Sequence, residues 1–166
     1  MQGKLVCMDV SAKNQIQIFL TNPVFLSAVF SWLSAQFIKT IIKLISGKVT
    51  SMGELFSLLL WKTGGMPSSH SALVCSLCAS IGFRCGINSD LFILACCFAL
   101  VTVRDAVGVR RSSGIQAKEI NKIGNAMQDH SLMSFNPIKE VQGHKPIEVF
   151  VGCLLGISIG TAFAIL

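Results

Sequence analysis

At 166 residues the chain has room for one domain, yet only 13% of it is charged and 52% is apolar, with a mean hydropathy of +0.65. A soluble domain carries about 25% charged residues and a small one has a large surface to cover, so this composition excludes an ordinary soluble bundle and points to a bilayer. The net charge of +6 does not indicate nucleic acid, because tyrosine is absent, the phenylalanines sit inside apolar runs and the basic residues gather between those runs.

Residues 1–21 read as a peripheral N-terminal segment. Lys4, Asp9 and Lys13 interrupt it, and it lacks the pattern of a cleavable signal. The membrane domain is expected over 22–166. Its first apolar run, Pro23 to Ile45, is long enough to span and opens on a proline that suits a helix start. Met52 to Trp61 is a short amphipathic stretch suited to the interface. The runs Ser69 to Phe83 and Leu91 to Val103 fall short of the roughly 20 residues a full span requires. Segment 105–125 has helical spacing weakened by Gly108, Ser112, Ser113 and Gly114, and predicts a broken amphipathic helix along the basic face. The last run, Ile147 to Leu166, carries no charge after Glu148. The expected fold class is all-α: a small integral membrane bundle of about four transmembrane helices plus short amphipathic interfacial helices.

Four crossings put residues 46–67 and 104–146 on one side, and most of the basic residues lie there. By the positive-inside rule that side is cytoplasmic, which makes the chain a multi-pass integral membrane protein with its polar face toward the cytoplasm. The seven cysteines mostly lie in apolar stretches and act as small hydrophobes. Cys75 and Cys78 form a lone C-x-x-C without a second pair, which does not make a metal or redox framework.

Three polar clusters fall at helix ends on that common face. The first is Lys62-Thr-Gly-Gly-Met-Pro-Ser68-Ser69-His70. Its glycines, hydroxyls and helix N-terminus suit an anion, and His70 in the first turn is placed to exchange a proton. The second is His144-Lys-Pro-Ile-Glu148, whose spacing predicts a shared helix face and a hydrogen bond from imidazole to carboxylate. The third is Arg104-Asp105-Ala-Val-Gly-Val-Arg110-Arg111, where guanidiniums can hold phosphate oxygens and Asp105 can orient one of them or bind a metal. Each cluster alone also fits a bland reading, as a helix cap, an i,i+4 polar pair or a basic flank. Their convergence on one face favours phosphoryl transfer.

These residues carry a resemblance. Pro67-Ser68-Ser69-His70 resembles the PSGH motif of the type 2 phosphatidic acid phosphatase superfamily, which includes the vanadium haloperoxidases. His144-x-x-x-Glu148 resembles its last motif, in which a histidine precedes an aspartate by four. Over 22–166, GGMPSSHSALV, RDAVGVRR with Gln116 and Asn121, and GHKPIEVFVGCLLG are similar to the divergent PAP2 family. The resemblance implies that His144 attacks phosphorus, Glu148 orients it and His70 protonates the leaving group. Ser68 and Ser69 would add donors, and Lys62, Arg104, Arg110, Arg111 and Lys139 are candidate phosphate-binding cations. No metal or other cofactor is implied. The chain departs from the superfamily in having PSSH for PSGH and Glu for Asp. It also lacks the Lys followed seven residues later by Arg-Pro, and the Ser-Arg ahead of the last histidine, where Ile138 and Lys139 stand; the arginine cluster is expected to replace those cations.

The function expected is a membrane phosphatase acting on a lipid phosphate or pyrophosphate at the bilayer. The alternatives are a non-catalytic protein of the same fold that binds a phosphate-bearing lipid or a protein partner, and a small transporter, whose charges would be expected mid-span. Four short helices bury little against one another, which leaves room for a homodimer, though no residue marks an interface.

Overall fold

The apolar runs become helices close to where their composition places them. The computed structural model describes residues 12–47, 53, 65–140 and 143–166. Its helices are α1 (Ala12–Leu20), α2 (Pro23–Ile45), α3 (Ser69–Cys85), α4 (Asp90–Arg104), α5 (Arg110–Asp129) and α6 (Pro146–Ile165). The amphipathic stretch expected over Met52 to Trp61 lies outside the described residues, save for Gly53. Asn22 caps α2, its Oδ1 accepting the Val24 N–H at 2.9 Å. Gly86, with φ +84°, turns the chain out of α3. Ser89 Oγ then donates to the Gly86 carbonyl at 2.7 Å and accepts from the Phe92 N–H at 3.2 Å, starting α4. Helices α2 and α6 and the helix containing α4 are long and apolar enough to cross a bilayer. The 17-residue α3 packs among them as the hub, against α2, α4 and α6.

The packing inverts that of a soluble protein. Inside lie small residues: Ser27, Ser31 and Ala35 of α2, and Ser71, Ala72, Ser76 and Ser80 of α3. Outside lie Phe30, Leu94, Phe98, Leu100 and Phe150, more than half exposed. Only a surrounding apolar solvent makes that arrangement favourable, and small inward residues let helix backbones approach where hydrophobic burial supplies no drive. The closest approach joins α3 to α6. Gly152, Gly156 and Gly160, one turn apart, face the backbone of Ser68, Ala72 and Ser76, leaving no room for a Cβ. The fold is an all-α membrane bundle.

The break expected in segment 105–125 does not occur. One helix of 40 residues runs from Asp90 to Asp129. It passes through a single π turn at Asp105–Val109, so Gly108 and Gly114 are absorbed rather than terminating it. At 1.5 Å per residue it measures about 60 Å, roughly twice the hydrocarbon thickness. The apolar half, α4, lies against α3, while the basic half, α5, extends past the bundle.

The chain returns to the bundle along α5. After α5, Ser131 takes a left-handed conformation (φ 58°), and Leu132 N–H reaches back to the Met127 carbonyl at 2.9 Å. The side chain of Asn121 then clamps Ile138 from both sides. Its Oδ1 accepts the Ile138 N–H at 2.8 Å, and its Nδ2 donates to the Ile138 carbonyl at 2.8 Å and to Glu140 Oε1 at 3.0 Å. Phe135 lies against Gly124, where a Cβ would collide with its ring. The strap ends with Gly143 against the backbone of Arg111, which delivers His144 to the bundle.

Candidate functional site

The site forms where the start of α3, the end of α2, the π turn and the start of α6 meet. Gly65 (φ +96°) turns beside the aliphatic stems of Lys39 and Lys43, and Pro67 and Ser68 follow, fully buried. Ser68 N–H donates to the Glu148 carbonyl at 2.9 Å, locking the loop to α6. Ser71 Oγ donates to Ser68 Oγ at 3.0 Å, and Ser68 makes no side-chain cap on α3. The first amides of α3 therefore keep their anion-binding capacity. Ser69 is buried, whereas His70 in the same turn is exposed and faces Arg110, Lys39 and Asp105 electrostatically.

His144 is 4% exposed, and neither ring nitrogen has a hydrogen-bond partner among the described residues. The expected bond to Glu148 is not made. Lys145, in extended conformation (φ −71°, ψ 147°), is the N-cap of α6, so His144 lies ahead of the helix and the i,i+4 geometry does not apply to it. The Glu148 carboxylate instead accepts the Lys145 N–H at 3.1 Å, closing the first turn of its own helix. Glu148 still acts on His144 through its field. Burial is the largest influence on the imidazole and holds its pKa below the usual histidine value of 6.5. Lys39, His70 and Arg110 push the same way, and Glu148 opposes them.

Lys39 is the residue that sequence reading missed. It stands in the last third of an apolar run, near the end of the span. In the fold it is only 2% exposed, donates to Gln36 Oε1 at 3.1 Å and lies within electrostatic reach of both histidines and Glu148. A buried ammonium whose hydrogen-bond partner among the described residues is one amide oxygen is expensive to maintain, which suits a ligand anion that completes its shell.

Among the arginines, Arg110 is the one that acts electrostatically on both histidines. Its Nε lies 2.6 Å from Asp105 Oδ2. The two are five residues apart, a spacing that the π turn brings onto one side of the helix. Arg111 lines a polar cleft of about 420 Å³ together with Gly65, Lys118, Glu140, Lys145 and Glu148. Arg104 and Lys139 are exposed and are not among the cleft's lining residues, and Lys62 lies outside the described residues. The structure therefore gathers His70, His144, Glu148, Ser68, Ser69, Arg110, Asp105 and Arg111 and adds Lys39. Among the described residues, no group of three or more His, Cys, Asp or Glu side chains is placed to hold a metal ion.

The chain is 38% identical over 156 residues to YuiD of Bacillus subtilis (strain 168), described as an uncharacterized membrane protein; the match covers 87% of this chain and 96% of that protein. No solved structure matches significantly. The family model of the divergent PAP2 family matches residues 20–159, nearly the whole membrane bundle and every residue of the cluster, and the chain belongs to that family.

Proposed function

We propose that the protein is a membrane phosphatase that hydrolyses a lipid phosphate or pyrophosphate through a phosphohistidine on His144. The observation that carries this reading is the His144 imidazole, buried, without a hydrogen-bond partner among the described residues, and within electrostatic reach of Lys39, Arg110 and His70. A lowered pKa keeps it neutral at pH 7, the form in which a ring nitrogen has a free electron pair. That nitrogen attacks phosphorus. The P–O bond to the lipid breaks, and His70 gives its proton to the departing oxygen. Water then attacks the phosphohistidine, His70 takes a proton from it, and inorganic phosphate leaves. Lys39, Arg110 and the free amides at the start of α3 neutralise the oxygens as charge shifts. The basic residues of α5 and of the segment leading to His144 support a cytoplasmic orientation of this face by the positive-inside rule.

The test is phosphate release by the purified, detergent-solubilised protein from phosphatidate, diacylglycerol pyrophosphate and polyprenyl pyrophosphates. Release is expected from at least one, with acid-labile, base-stable phosphate trapped on the protein during turnover. A second reading, a phosphate-lipid binding protein without turnover, draws on Glu148, whose carboxylate caps α6 rather than holding His144. Binding of a lipid phosphonate without release from any ester would establish that reading instead.

Lys39→Met is expected to lower kcat/KM by about 10²–10³, the usual loss on removing one preorganised oxyanion donor. The same variant carries a second signature. In the wild type the acid limb of the pH profile should lie below 6.5, because that limb reports the loss of neutral His144 as pH drops through its depressed pKa. Removing the Lys39 charge should move that limb upward, while burial continues to hold it down. A limb unchanged in Lys39→Met would separate Lys39 from the nucleophile.

A further inference from the structure

We infer that the groove between α3 and α4 holds the hydrocarbon tail of the lipid whose phosphate sits at the histidines, so that the substrate is a lipid with a long chain bound lengthwise inside the protein. This deepens the proposed function and rests on it. The groove has a volume of about 580 Å³, and Cys78, Gly82, Phe92, Cys96, Ala99 and Val103 are among the residues that form it. That is the size of an ordinary small-molecule pocket, and its lining is apolar apart from the Thr161 hydroxyl.

Its position ties it to the site. Gly82 stands level with Phe92, for a Cβ on Gly82 would come 2.8 Å from the Phe92 ring. From that level the antiparallel helices climb equally, α4 to Val103 and α3 to Ser71, over about 16 Å. Val103 therefore lies beside the turn that carries His70. Asp105 and its partner Arg110 come immediately after. Phe83 and Ile87 line the far end of the groove, and Cys75 and Val103 its near end, Val103 two residues before Asp105. Ala95 is the one residue of α4 that is buried, so the helix is held mainly by its contact with α3 and its other sides face the hydrocarbon layer. A tail can enter sideways from that layer while its phosphate stays at membrane-surface level.

Ordinary boundary lipid would also wet such a groove, but without regard to headgroup. The deciding experiment is photolabelling of the full chain in detergent micelles by hexadecylphosphonate carrying a diazirine midway along its chain, a probe whose C–P bond resists hydrolysis. Label is expected on residues 75–103, displaced by hexadecyl phosphate but not by hexadecanol. Ala99→Phe, which fills the groove away from the cluster, should cut that label on the order of tenfold. Cys96→Phe, at an exposed position, gives the same test should Ala99→Phe disturb the helix pair. Label spread evenly over the outer faces, or displaced equally by hexadecanol, would overturn the inference. Phosphate release measured in parallel keeps the two readings apart. Failure of the phosphatase reading removes release from every ester and leaves headgroup-dependent labelling of the groove, while failure of the groove inference removes that labelling and leaves release intact.

Discussion

His144→Ala is expected to abolish phosphate release, a loss on the order of 10⁴-fold or more, because removing the nucleophile leaves only binding and electrostatic stabilisation. Such a loss is informative only if the protein still folds, and the structure says that it should. The His144 ring makes no hydrogen bond among the described residues, so its removal orphans no partner there and relieves two buried ring nitrogens of their desolvation cost. Thermal stability should stay within about 1 kcal/mol of the wild type, and the variant should still bind hexadecylphosphonate. The space left by the ring lies beside Lys39 and Arg110, so added imidazole should restore part of the release. Release undiminished in His144→Ala would refute the phosphohistidine mechanism whatever the substrate.

Gly156→Leu should have the largest effect on the fold. A Cβ at Gly156 would meet the Ala72 carbonyl oxygen in closer than van der Waals contact, with the Ala72 carbonyl carbon at 2.9 Å and Cα at 3.0 Å. All three are backbone, so no rotamer change relieves the clash and α6 must move away from α3. That separation opens the Ser68–Glu148 bond and displaces His144 with the start of α6. A cost of about 3 kcal/mol or more is expected, above the usual range for overpacking, because close backbone approach is what holds small-residue interfaces together in lipid. Resistance to trypsin in mild detergent measures it. Gly108→Ala is the matched control: nothing lies within 4 Å of its Cβ position, and it should stabilise the long helix by roughly 0.5–1 kcal/mol. Equal protease resistance in the two variants would show that the glycine row does not hold α6 to α3.

Much of this architecture was legible before the fold was known, and the failures have identifiable physical causes. Apolar run length located α2, α3, α4 and α6 because lipid-facing helices must be apolar along their whole length. The identity of the inward face was not legible: in an all-apolar helix no periodicity marks it, and a lysine facing the core reads like a lysine at the boundary. Lys39 was overlooked for that reason, and its partner Gln36, one turn earlier, was the available hint. The His144–Glu148 bond was read from spacing alone, although Pro146 already argued that the helix begins after Lys145. The unbroken helix through Asp105–Val109 was hidden because glycine propensities describe isolated helices, and here the turn is carried between two long flanking segments. The Asn121 clamp pairs positions 17 residues apart through backbone groups, which leave no mark in a sequence pattern.

That His70, His144, Lys39 and Arg110 share one end of the bundle has a consequence for where the protein can act. On the proposed function, a cluster at one end would reach the phosphates of a single leaflet, and a lipid in the opposite leaflet would be invisible to it until its headgroup crosses the bilayer. The basic half of the 40-residue helix and the strap clamped to it carry too much charge to be drawn through, so the choice of leaflet is fixed when the chain is inserted. In vesicles with sided lipid composition, turnover would therefore report the population of one leaflet and, over longer times, the rate at which the other exchanges into it.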